Sequence, residues 1–131
     1  MHNSKLMTTE KSLKILLWLV AIHSLFTGIF LISGTVAMFH FFGFHYHGGF
    51  FAVQGGVFHL VMVIAYLMTV YNLKKDGLLI WFCISAKVMA AVFLLLYFAV
   101  MEQTWVIFIS GVLDLIMGLL LLYFYKRLQI K

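Results

Sequence analysis

Proline is absent from all 131 residues, cysteine occurs once, and only four residues are acidic. Each shortage excludes something. Without proline, no ring removes a backbone donor and breaks a helix. A single cysteine rules out a disulfide within the chain and a zinc site built on several thiolates. Charged residues make up only 10% of the sequence, against about a quarter in soluble domains, so an ordinary water-soluble globule is excluded. Also missing are a Ser-His-Asp arrangement, a phosphate-binding loop and a CxxC redox pair.

What fills the space is hydrocarbon. Apolar residues account for 65% of the chain and the mean hydropathy is +1.11. No soluble fold of this length has the interior to hide that much apolar surface. About 20 apolar residues cross a bilayer as helix, and four such stretches are present: Ile15–Phe39, Phe50–Tyr71, Leu78–Val100 and Thr104–Tyr125. Spanning strands would be about half as long and alternate apolar with polar. The expectation is therefore all-α: one domain over residues 1–131, an integral membrane four-helix bundle. The connections His40–Gly49, Asn72–Gly77 and Met101–Gln103 are short enough to force neighbouring helices antiparallel, up-down-up-down.

Basic residues orient the bundle. Lys5, Lys11 and Lys14 precede the first span, Lys74 and Lys75 lie between the second and third, and Lys126, Arg127 and Lys131 follow the fourth. The other two connections hold neither Lys nor Arg, which places both termini in the cytoplasm, in the manner of a multi-pass bacterial inner-membrane protein. The net charge of +5 then reads as a topology signal toward anionic lipid, not nucleic acid. The first apolar run is too long for a cleaved leader and reads as a retained span. Phe41, Phe42, Phe44, Tyr46, Phe50 and Phe51 read as an aromatic belt at the outer interface, or as a gripping surface for a partner.

Ionisable groups inside a span are expensive, roughly 2.5–3.5 kcal/mol for a charge at the helix centre. Each span has one such group, counting histidine: His23, His59, Lys87 and Asp114. At about 1.5 Å of rise per residue they lie roughly 12, 18, 14 and 17 Å from the cytoplasmic ends, close to a common midplane. Lys87 and Asp114, on spans joined by a short connection, are expected to pair. The pair could act as a device that sets helix rotation and register, or as part of a polar site for a ligand or a proton. Gln54 is a further candidate for the buried polar set. Ser110, Gly111, Asp114 and Gly118 share one face of the fourth span; this small-residue strip permits close helix approach and offers a surface for association.

Two histidines at matched depth admit an axial pair for a b-type haem, a quinone-like ligand, or simple hydrogen bonding within the bundle. In the outer loop, His45 and His47 fall on one side of an extended backbone, and His40 could supply a third ligand to zinc or copper. Interfacial histidines near headgroups are the alternative. Cys83 reads as inert packing.

Four short spans with both ends inside, a Gln54-Gly55-Gly56 step opening span two and a basic residue, Lys87, within span three resemble the DoxX-like group of small membrane proteins. The resemblance implies an accessory partner of membrane redox systems and transfers no catalytic residue. The resulting expectation is a membrane subunit or small-ligand-binding bundle, inactive as an enzyme by itself, associating with itself or a larger membrane complex. The rivals are a haem electron carrier through His23 and His59, and an oligomeric transporter or proton conductor using Lys87 and Asp114.

Overall fold

A computed structural model describes residues 2–44, 49–73, 77–101 and 103–129, with backbone only for 2–6. It contains five helices among these residues: α1 (His2–Ser33), α2 (Val36–Phe41), α3 (Phe50–Asn72), α4 (Gly77–Val100) and α5 (Trp105–Gln129). Four of them are long and apolar enough to cross a membrane, with candidate spans Met7–Ser33, Phe50–Asn72, Gly77–Val100 and Trp105–Gln129. No strand occurs among the described residues.

The first span ends earlier than the sequence suggests, at Ser33 instead of Phe39. Gly34 still donates to the Phe30 carbonyl at 2.7 Å. Thr35 then takes an extended backbone, and its hydroxyl accepts from the Met38 amide, capping the separate short helix α2. Hydropathy alone cannot see such a break, because Val36–Phe41 is as apolar as the helix before it. The turn after α2 uses Gly43 at φ 85°, a conformation that disfavours any residue with a Cβ. The turn itself, through Phe42 and Gly43, meets the start of α5, and Phe30, Phe39, Phe42 and Trp105 form a chain of ring contacts 5.0–6.1 Å between centroids.

The long helices form a ring of neighbours. α1 packs chiefly on α3 and α4 chiefly on α5; α1 also meets α5, while α3 and α4 touch over a much smaller area. Among the described residues the diagonal pairs have no close backbone approach. The core is gathered at one end: Leu13 and Leu17 of α1, Val70 of α3, Ile80 and Ile84 of α4, and Leu121 and Tyr125 of α5 belong to a single buried cluster. The faces turned away from it carry exposed large apolar side chains, Phe26, Ile64, Met89 and Phe93 among them. Such a surface suits acyl chains, since lipid is as apolar as leucine.

Glycine sets the α1–α3 approach. A Cβ on Gly56 would lie 2.7 Å from the Gly28 carbonyl oxygen and 2.6 Å from Ile32 Cγ1, so the two backbones meet with no room for a methyl. At the adjacent Gly55 the nearest atom would be 3.7 Å away. Alanine adds helix propensity at both sites. Gly56→Ala should nonetheless destabilise the protein by about 1–3 kcal/mol through overpacking, and Gly55→Ala should be neutral or slightly stabilising. Thermal unfolding followed by circular dichroism in one detergent checks this; equal midpoints for the two variants would count against the close crossing.

Candidate functional site

The buried positions of α5 are Ile107, Gly111, Asp114, Gly118, Leu121 and Tyr125, spaced alternately by four and three. That spacing draws one seam along the helix, as in left-handed helix pairs. On α4, Ile80, Cys83, Ile84, Lys87 and Ala91 make the facing seam. Each seam is apolar except for one ionisable residue, and the two coincide in height. Lys87 Nζ donates to Asp114 Oδ1 at 2.6 Å, with both side chains more than nine-tenths buried. Gly118 allows this approach: a Cβ there would sit 3.3 Å from Lys87 Cβ and from Val88. The ammonium also stands 5.9 Å from the centroid of the Tyr66 ring, a cation–π distance.

The pair lies on the wall of a partly open pocket of about 150 Å³, lined by Ser24, Phe58, His59, Met62, Tyr66, Ala86, Lys87, Ala90 and Asp114. All four spanning helices contribute. Among the described residues the Lys87 ammonium hydrogen-bonds Asp114 alone, so donors of its three remain for a guest. His59 lines the pocket and lies close enough to feel the charges of Lys87, Asp114 and His23. The Ser24 hydroxyl faces Tyr66 but has no partner within hydrogen-bond geometry. Beneath the pocket, Thr69 donates its hydroxyl proton to the Ala65 carbonyl at 2.8 Å. The Cys83 thiol, 3.2 Å from the same oxygen, is therefore the donor in that contact, and the buried cysteine is held as packing.

The expected quartet is thus only partly gathered. Lys87, Asp114 and His59 share the pocket; His23 does not line it, although it lies within electrostatic reach of Lys87 and Asp114. His23 Nδ1 is buried with no hydrogen-bond partner. Of the two histidines only His59 lines the pocket, and a space of about 150 Å³ holds one ring where a porphyrin has four. Gln54 is exposed on α3 and absent from the pocket; four residues from the helix start at Phe50, it has risen only about 6 Å. The small-residue strip of α5 is used inside the chain: Gly111 packs on Leu94 and Leu95, and Gly118 on Lys87 and Val88, which withdraws both glycines from any association surface. His40 is exposed, and His45 and His47 lie outside the described residues. Among the described residues no three His, Cys, Asp or Glu side chains come together as metal ligands.

Sequence reasoning missed Tyr66, Phe58, Met62 and Ser24. Tyr66 had a readable signal: it stands seven residues after His59, two turns along the same face. No family model matches the chain, and neither a curated protein nor a solved structure is similar to it.

Removing one partner of a buried ion pair strands the other, at about 3–5 kcal/mol, whereas replacing both with apolar residues is often neutral. Lys87→Met and Asp114→Leu should each lower stability on the order of 3 kcal/mol, and the double variant should recover most of the loss. Glu10→Gln, which breaks the more exposed Glu10–Lys14 contact, should change stability by less than about 1 kcal/mol. Additive losses in the double variant would show that the two side chains are not energetically coupled.

Proposed function

We propose that this protein is a membrane-embedded helical bundle that binds a small ligand beside the Lys87–Asp114 pair, and that it works as an accessory subunit and not as an enzyme on its own. The observation that carries this reading is that the ion pair, the costliest polar feature in the chain, is placed on the wall of a pocket to which all four spans contribute. A pair needed only for helix register would be served as well by closed packing around it. Here His59, Tyr66 and Ser24 add polar atoms around the same small space, which matches ligand sites that combine an apolar lining with a few convergent polar groups.

The bundle runs up-down-up-down with both termini on the cytoplasmic side of a bacterial inner membrane. One cluster unites early α1, late α3, early α4 and late α5, and Lys11, Lys14, Lys126 and Arg127 flank that end. The resemblance to DoxX-like proteins fits the accessory role, and the exposed apolar faces serve association with a second copy or with a larger membrane complex. The pocket supports a quinone-like or other small guest better than haem, since only one of the two histidines lines it.

Two experiments test this. In a Cys83→Ser background, which keeps a hydroxyl beside Thr69, a cysteine introduced at Gln103 should react with impermeant maleimide from outside intact cells. One introduced at Lys131 should react only after lysis; the reverse pattern would invert the topology. For the ligand, mild-detergent purification followed by solvent extraction and mass spectrometry should recover a small molecule enriched over bulk lipid from wild type. Ala90→Phe, which fills the pocket, should lose it. Identical extracts from both proteins would overturn the binding role, and a Soret band in wild type would move the assignment to haem.

A further inference from the structure

One pair of helices around the pocket is loosely joined. α3 and α4 follow one another in the chain, yet they share the smallest contact of any neighbouring pair. They meet near their connection, where Thr69 touches Cys83. Beyond that level the α3 residues that line the pocket are Tyr66, Met62, His59 and Phe58, and those of α4 are Ala86, Lys87 and Ala90. The α4 side of the gap is therefore built from alanines flanking Lys87, and small side chains leave a slot where larger ones would close it. Phe58, which lines the pocket, is 61% exposed, and Val61 of α3 and Met89 and Phe93 of α4 are exposed as well. On a span, exposure of that kind means contact with lipid. The other neighbouring pairs are more closely joined: α1 is packed on α3 and on α5, α5 on α4, and the aromatic chain from Phe30 to Trp105 links α1 to the start of α5.

Resting on the binding role above, we infer that the site is filled sideways from the bilayer, through the α3–α4 gap, by a lipid-soluble molecule. Its polar end is a single ring bearing a carbonyl oxygen, and its apolar tail stays among the acyl chains. Three features select that chemistry. A volume of about 150 Å³ equals that of an engineered cavity known to take benzene, so one ring fits. Three of its lining residues, Phe58, Tyr66 and His59, are themselves planar rings. The charged donor beside the space has capacity to spare: the Lys87 ammonium has three N–H groups and gives one to Asp114. An acceptor oxygen is therefore recognised, and an anionic headgroup would be repelled by Asp114.

The test uses the full-length chain in phosphatidylcholine nanodiscs and radiolabelled 4-decylacetophenone, read as saturable retention above empty discs. Wild type should bind. The oxygen-free 1-decyl-4-ethylbenzene should bind at least tenfold more weakly, as should acetophenone, which has no tail. Ala90→Phe should abolish binding, and the Lys87→Met/Asp114→Leu double variant, whose fold is checked by its unfolding midpoint, should weaken it at least tenfold. Equal binding of the hydrocarbon analogue overturns the carbonyl assignment, and equal binding of acetophenone from water overturns the sideways route. If the ketone fails to bind while wild-type extracts hold a molecule absent from Ala90→Phe extracts, the ligand class falls and the binding role stands. If both are negative, both fall.

Discussion

Everything else in this bundle is arranged around one contact, the 2.6 Å bond between Lys87 and Asp114. A lone ammonium or carboxylate at that depth would be costly in hydrocarbon, and each is tolerable only against the other. Meeting requires both helices to present the correct face at the correct height. Gly118 removes the side chain that would hold α4 away at Lys87, and the alternating spacing of three and four along α5 keeps Asp114 on the shared seam. Apolar residues give hardly any preference for one rotation over another in lipid, because they are equally content facing acyl chains. The ion pair supplies that preference.

The pair also divides the molecule into two regions of different character. On one side lies the continuous core from Leu13 and Leu17 through Tyr66 and Val70 to Ile84, Leu121 and Tyr125, which ties all four long helices together. On the other side the α1–α3 and α4–α5 pairs are held internally by glycine crossings at Gly28–Gly56 and at Gly111. They are joined to each other mainly along α1 and α5. The pocket sits at the boundary, where close packing stops. The close-packed core lies in one half, and the partly open pocket begins where that core ends. This separation is common where a binding region must stay more loosely packed than its scaffold.

The end of the bundle that carries α2 shows how much of a helical bundle's shape escapes hydropathy. Gly34 and Thr35 end one helix and cap another inside a stretch long and apolar enough to be taken for a single span. α2 then folds over toward α5 with Gly43 at the turn and Phe42 against Trp105. Aromatic residues at this level suit the interface, and in this fold several of them also brace the junction between the two halves of the chain.

The sequence by itself was enough to determine helices instead of strands, the existence of four spans, and the placing of one ionisable group in each. Those properties follow from composition and period, and both are local. The match of Lys87 with Asp114 was also legible, because two opposite charges on adjacent spans leave few alternatives. Only the tertiary structure decided which polar residues share a space. His59 enters the pocket and His23 does not, Gln54 is exposed, and the glycines of α5 are used up within the chain. Tyr66 and the alanines of α4, by contrast, become walls. Helix rotation and crossing angle govern all of these, and they depend on contacts between segments far apart in the chain: a glycine 28 residues away at the α1–α3 crossing, or the small contact area between α3 and α4. No periodicity within one helix encodes its neighbour's distance, so the slot between them could not have been read in advance.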